Sequence, residues 1–389
     1  MANGSFGGGN GTANNPYLVE DAADLDAIRY NLGSNFKQSK KIDLYNFAEW
    51  EPIGDWDSPF TGSFDGDNHP ITNLNVRWLG EYVYCAGLFG YAENSTFENI
   101  EIIEGKVYGG DYAAILISQI AGGEIRNCKV SGSVNGTGYV GGLLGFSPNW
   151  DGHTIIEDCI ASGVIIGRAN QDGDDSSYVG GVAGWFDGAM KKCSFEGSIN
   201  GSENVGGLVG YVSGGDEPLI MNCFTSASVI SNNGYAAGGI VGALEGVVMN
   251  CYADGSIMGS YEVGGIVGDL GGVVRNSYAL NKSVTALRSN TGPPDYENDF
   301  GDIAGYNGGM IESCYVIESM GNLGSISRYA EIVTEKNARI KATYEKRGWD
   351  FKEVWRIKEE ESFPYFIPPK SKSRTKCDRI NINKLLGGY

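Results

Sequence analysis

Apolar and polar positions alternate along this chain with a period. An apolar phrase of five or six residues recurs as AGLFG (86–90), AAILIS (113–118), VGGLLG (140–145), VGGVAG (179–184) and VGGLVG (205–210). It continues as AGGIVG (237–242), VGGIVG (263–268) and FGDIAG (300–305), which makes eight copies ending 26 to 39 residues apart. AAILIS fills its place without the glycines. A second slot follows each copy after 9 to 14 residues: Ile100, Cys128, Cys159, Cys193, Cys223, Cys251, Ser277 and Cys314. The gap is nine at Cys193, Cys251, Ser277 and Cys314; where it is longer, the extra residues are polar or turn-forming. Asn usually precedes the slot (Asn127, Asn222, Asn250, Asn276), and an aromatic often follows it (Phe224, Tyr252, Tyr278, Tyr315).

Each copy reads as two or three strands, because the runs are too short and glycine-rich for helices of ten or more residues. A single copy cannot bury its apolar side. Copies stacked about 4.8 Å apart would give every strand a partner above and below, and one continuous core. The pattern therefore predicts an all-β fold: a parallel β-solenoid of about eight coils, right-handed by the bias of parallel crossovers. The double glycines are expected at corners, through positive φ or close backbone approach. The repeated slot holds a small side chain, as an interior ladder needs. Its cysteines are expected to be reduced thiols packing as small hydrophobes. Cys85 and Cys377 fall outside the ladder.

Terminal coils expose strand edges, so the solenoid needs caps. Residues 1–82 are expected to form the first cap. In it NPYLV and KKIDL read as strands, and EDAADLDAIRYNL as a helix with Leu25, Ile28 and Leu32 at helical spacing. FTGSFDGDNHPITNLNV reads as strands broken by a turn at Asp65–Asn68. Residues 83–327 are the repeats. Residues 328–367 are expected to close the far end with a short helix in TEKNARIKATYEKRG, a strand near WDFKEVW and an aromatic lid from SFPYFI. Residues 368–389 begin with a proline break and read as an extended basic tail.

Glycine, at 60 of 389 residues, together with 41% hydrophobic residues and only 11 prolines, argues against disorder and for many turns. The net charge of −19 argues against binding nucleic acid. That charge is uneven: residues 328–389 carry 15 Lys+Arg against 9 Asp+Glu, a net +6, and the rest carries −25. A basic tail on an acidic body could dock on that body or on another copy. No stretch reaches the roughly 18 apolar residues of a membrane helix. The start lacks the apolar run of a secretory signal, so either the natural protein has none or one was removed.

Candidate chemistry is sparse. A phosphate-binding glycine loop would require a lysine and a following helix, and neither is present. There is no H-E-x-x-H, no C-x-x-C and no G-x-S-x-G. The longest insertions are SPNWDGHTIIED (147–158), IIGRANQDGDDSSY (165–178) and LRSNTGPPDYENDF (287–300). They supply candidates for ligand binding at Trp150, His153, Asp175 and Asp295. Asn170, Asp172 and Asp174 alternate like part of a calcium loop whose closing Glu is missing. Apart from calcium at that pattern, the sequence points to no cofactor. Loop carboxylates such as Asp172, Asp174, Asp175 and Asp295 also keep open a polysaccharide hydrolase or lyase, since paired acids serve that chemistry.

The phrases GLLG (142–145), GLVG (207–210) and GIVG (239–242, 265–268) resemble the GLUG motif, a Gly-Leu-hydrophobic-Gly core. The frame is similar too. GTANNPYLVEDAADLDAI resembles that family's opening segment, WEPIG with FTGSFDGDNHPITNL its first cap, and GWDFKEVWRIKEEESFPYF its closing segment. The resemblance covers about residues 10–367. It implies a β-solenoid surface module of the kind found in bacterial surface proteins and adhesins, in the non-catalytic part of some IgA-specific metallopeptidases, and in phage structural proteins. It carries no shared catalytic residues. AAILIS and the tail beyond 367 depart from it. The expectation is a non-enzymatic structural or adhesive module that displays loops to a surface glycan or protein, on a phage particle or a bacterial surface. A purely architectural subunit assembling through its tail is the third reading.

Overall fold

The eight apolar phrases lie one above another in a computed structural model that describes residues 6–77, 84–148, 152–168, 177–214, 218–232, 235–287, 300–320 and 330–367. Coil 3 shows the plan. A short strand, Tyr139–Gly141, turns through the phrase into Leu144–Ser147 and then Thr154–Glu157. A corner at Asp158 leads into the long strand Ile160–Gly167. Each strand pairs in parallel with its equivalents in the coils before and after. Three faces result: a short face with one strand from each of the eight coils, a long face split into two ladders, and a return face. The fold is the expected all-β parallel solenoid.

Register puts like on like. Val140, Val179, Val205, Ala237 and Val263 follow one another on the short face, all fully buried. The variable gap between the two sequence phrases has a simple cause. Extra residues fall between the two strands of the long face, after Ser147 and after Val212, and leave both ladders in register.

The corner before the return face explains the asparagines. Asn99, Asn127, Asn222, Asn250 and Asn276 all have φ between 48° and 56°, as do Asp158, Lys192 and Ser313 at the same place. Asn tolerates the left-handed region better than most residues with a Cβ. Its amide also bridges coils: Asn127 Nδ2 donates to Asn99 Oδ1 at 2.7 Å, and Asn99 Nδ2 to Asp65 Oδ1 at 2.8 Å.

The next residue is the thiol slot. Cys128, Cys159, Cys193, Cys223, Cys251 and Cys314 are free thiols and essentially fully buried. Each Sγ–H donates to the carbonyl two residues before it, for instance Cys223 to Met221 at 3.3 Å. The sulfur also accepts from the previous coil, as when the Cys223 amide donates to Cys251 Sγ at 3.4 Å. Ser277 makes the same pair of bonds, to Arg275 O at 2.9 Å and from the Cys251 amide at 3.2 Å. From coil 2 onward the slot therefore holds a small side chain that donates, and at Cys223, Cys251 and Ser277 also accepts, whereas coil 1 fills it with the apolar Ile100.

The paired glycines differ from one half of the expectation. None of Gly141–Gly142, Gly180–Gly181, Gly206–Gly207, Gly238–Gly239 and Gly264–Gly265 has positive φ. They are there for close approach. A Cβ on Gly207 would lie 1.9 Å from Gly239 O of the next coil. AAILIS shows the alternative: Ile115, where glycine stands in other copies, packs over Gly105 of a coil whose own phrase is one residue shorter.

Residues 1–338 form one compact unit and residues 339–389 another. In the first, the N-terminal segment continues the ladders, since Tyr17–Val19, Asn35–Gln38 and Ser63–Asp65 stack in turn onto Thr96–Glu98. The helix is shorter than expected. It runs Ala22–Ala27 with Asp21 as N-cap, then one 3-10 turn to Tyr30, so Leu32 lies beyond it. Leu25 and Ile28 are fully buried as the spacing requires. Asp67 and Asn68 take positive φ at the expected turn. After coil 8, Ala330–Val333 adds a further strand to the return face. In the second unit the helix Lys341–Glu345 precedes an antiparallel pair, Trp355–Arg356 with Tyr365–Phe366. Trp355 packs between Trp349 and Phe366 at ring distances of 4.6 and 5.0 Å.

Candidate functional site

The expected site residues Trp150, Asn170, Asp172, Asp174, Asp175 and Asp295 lie outside the described residues, as does the tail 368–389. His153 is described. Its Nδ1 stands 3.6 Å from Oδ1 of Asp187, a buried carboxylate one coil further on that accepts from Ser213 Oγ at 2.6 Å. This ties the end of one loop to the long face. Among the described residues, no three His, Cys, Asp or Glu side chains gather as a metal site, and no helix is long and apolar enough to cross a membrane.

A different feature dominates the outside of the solenoid. The residue directly after each phrase points outward from the long face. In register these residues are Tyr91, Gln119, Phe146, Trp185, Tyr211, Ala243, Asp269 and Tyr306, so the column is mostly aromatic over coils 1 to 5 and aromatic again at coil 8. The residue directly before the phrase points outward from the short face, as Tyr112, Tyr139 and Tyr178. The two columns meet along one edge. Tyr112, Tyr139 and Tyr178 are stacked nearly flat, at 5.2 and 5.3 Å and 7° each. Phe146, Trp185 and Tyr211 lean on them, with Phe146 4.7 Å from Tyr139 and Trp185 5.3 Å from Tyr178. Tyr91 and Phe146 are buried by their neighbours in these columns, at 2% and 8% exposed, while Tyr112, Tyr139, Tyr178, Trp185 and Tyr211 are half-buried, so the stripe is a packed ridge with partly open ring surfaces.

The stripe ends in a cleft of about 610 Å³ at coil 1. There the short-face slot is Cys85, much smaller than the tyrosines that follow it. Tyr112 and Tyr84 therefore line one side. The other side is a loop closed on the ladder by Tyr91, whose N–H donates to Gly54 O at 3.1 Å and whose C=O accepts from Phe60 N at 3.0 Å. Asp55 stiffens that loop by accepting from the Asp57 and Ser58 amides at 3.0 and 2.8 Å. Trp56 stands at the loop tip, 62% exposed, and stacks on Tyr91 at 5.0 Å. Glu51, Asp55 and Asp57 bring carboxylates to the cleft, and Gln119 lies at its floor. Gln119 is only 2% exposed, and among the described residues its Nε2 has no hydrogen-bond partner.

Burial, with Tyr139, Cys85 and Asp111 nearby, pushes the Tyr112 phenol up to about 12. Burial and Asp55 likewise push the Cys85 thiol up to about 12. At neutral pH both are protonated donors, and Cys85 is a poor nucleophile. Sequence reasoning missed this site. The readable signal was an aromatic directly before or after the apolar phrase in successive copies.

Residues 201–230 and 233–258 match the GLUG motif. A stretch of 152 residues is 35% identical to halomucin of Haloquadratum walsbyi, taking in 35% of this chain and 2% of halomucin. A stretch of 181 residues is 30% identical to a candidate Gly-rich membrane protein of Evansella cellulosilytica, taking in 36% of this chain and 21% of that one. The chain thus spans a small part of the curated relatives it matches. A crystal structure of a candidate immunoglobulin A1 protease from Bacteroides ovatus superposes with a TM-score of 0.53 at 18% identity, over 93% of this chain and 95% of that one. That likeness concerns the fold.

Proposed function

We propose that this chain is a non-enzymatic module of a surface protein, a β-solenoid that presents an aromatic edge to a glycan. The observation that carries the reading is the pair of adjoining aromatic columns, the tyrosines over coils 2 to 4 and the long-face column over coils 1 to 5. They form a packed ridge with partly open ring surfaces, on a backbone fixed by parallel ladders above and below. Stretches shared with halomucin and with a candidate Gly-rich membrane protein support a cell-surface setting over a phage particle.

The test is retention of the full chain on insoluble polysaccharides and on intact bacterial cells, with release of reducing ends and unsaturated products followed in parallel. Retention without product is expected. Shortened glycan chains would overturn the reading in favour of the hydrolase or lyase. Absence of retention on every polysaccharide would overturn the glycan as partner.

A further inference from the structure

We infer that the cleft at coil 1 is a subsite for one uncharged hexopyranose ring, seated against Tyr112 and Trp56 with Gln119 donating to it from below. This rests on the glycan-binding reading and assigns its ligand class and position.

Three observations lead there. First, the tyrosine stack is cut short. Tyr178, Tyr139 and Tyr112 follow at 5.2–5.3 Å, and the slot beyond Tyr112 falls to Cys85. Room for a ring opens beside Tyr112, and its volume of about 610 Å³ lies within the usual range of roughly 300–1,000 Å³ for small-molecule sites. Second, Gln119 Nε2 has no hydrogen-bond partner among the described residues, while the side chain is almost wholly buried beside the cleft. A buried donor without an acceptor is destabilising, and a ligand oxygen would relieve it. Its neighbours in the same column, Tyr91 and Phe146, are aromatic, so the amide is the one polar break in that run. Third, the rim is acidic. Asp55, Asp57 and Glu51 accept hydrogen bonds and repel anions, as does the net charge of −25 on residues 1–327.

These features select a ring with apolar faces and hydroxyl edges that both donate and accept. A pyranose has both. A uronic acid or sialic acid is refused by the carboxylates. A nucleotide is refused for the same reason. The Trp56 loop is held on the ladder at both ends by Tyr91, so the site is formed before the ligand arrives.

The experiment is titration of the full chain with soluble neutral hexose oligosaccharides and an oligouronate, read by calorimetry and by saturation transfer to the sugar protons. The variants are Trp56→Ala, Gln119→Leu and, as a distant control in the same column, Tyr306→Ala. Thermal unfolding checks that each is folded. Neutral oligosaccharides are expected to bind, Trp56→Ala and Gln119→Leu to weaken them at least tenfold, and Tyr306→Ala to leave affinity within twofold. Binding unchanged in Trp56→Ala, which alters an exposed side chain, would overturn the subsite while leaving the surface-module reading intact. So would a preference for the oligouronate. If the chain is retained on no polysaccharide at all, it is the broader reading that fails.

Discussion

The Cys193 amide donates to Sγ of Cys223, one coil further along, at 3.3 Å. The same sulfur donates to Met221 O at 3.3 Å, so one atom serves two coils. Cys223→Ala would leave a buried amide without its acceptor. We expect a loss of about 1–3 kcal/mol. Cys223→Ser should lose less than about 1 kcal/mol, because Ser277 already makes both bonds in this slot. Urea denaturation midpoints of the two variants decide it, and equal losses would refute the account.

Stability should fall in alkali through the buried Cys314 thiol. Burial pushes the Cys314 thiol up to about 11, whereas an unfolded thiol ionises near 8.5. Between those values the unfolded chain has shed a proton that the folded chain retains. Unfolding is therefore favoured as pH rises, by about 1.4 kcal/mol per pH unit for this group. Below about pH 8 the group contributes no pH dependence. Denaturation of wild type and Cys314→Ser at pH 8, 9 and 10 should show a shallower fall in the variant.

The corner asparagines predict an unusual order of substitutions. Asn127 sits at φ 48° and bonds Asn99. Asn127→Val should cost about 1–3 kcal/mol, since a β-branched residue resists the left-handed region. Asn127→Gly should cost less, despite losing the same amide bond. Thermal unfolding of the pair would contradict the backbone argument if glycine proved the worse.

Close approach at the phrase glycines predicts the reverse for alanine. Gly207→Ala would set a Cβ 1.9 Å from Gly239 O, and the coils would have to part. We expect a loss of about 1–3 kcal/mol. Gly33→Ala, where the nearest atom is Thr61 Oγ1 at 3.5 Å, should stay within about 0.5 kcal/mol. Denaturant midpoints of these two variants test whether spacing between coils, and not glycine content, is what matters.

The repeat was legible because burial and register act on every coil alike, so Cys193, Cys223 and Cys251 recur with their neighbours. What escaped was whatever depended on backbone angles or on residues distant in sequence. Asn before the thiol slot is visible as a pattern, but its reason is the positive φ at Asn222 and Asn250. The cleft escaped for the second reason. Gln119 is one odd letter in an aromatic column, and its meaning needs Trp56, which arrives from the N-terminal segment outside the repeats. His153 stands out in the sequence, whereas its neighbour Asp187 belongs to the next coil and carries no motif.

Coil 4 meets coils 3 and 5 through the same slots, with Tyr178 pairing to Tyr139 on one side and Asn204 on the other. A genetic event that duplicates or drops one such unit joins like to like and leaves no orphaned strand. Evolution can thus change how far this module projects in increments of about 4.8 Å, one rung at a time, without redesigning either extremity.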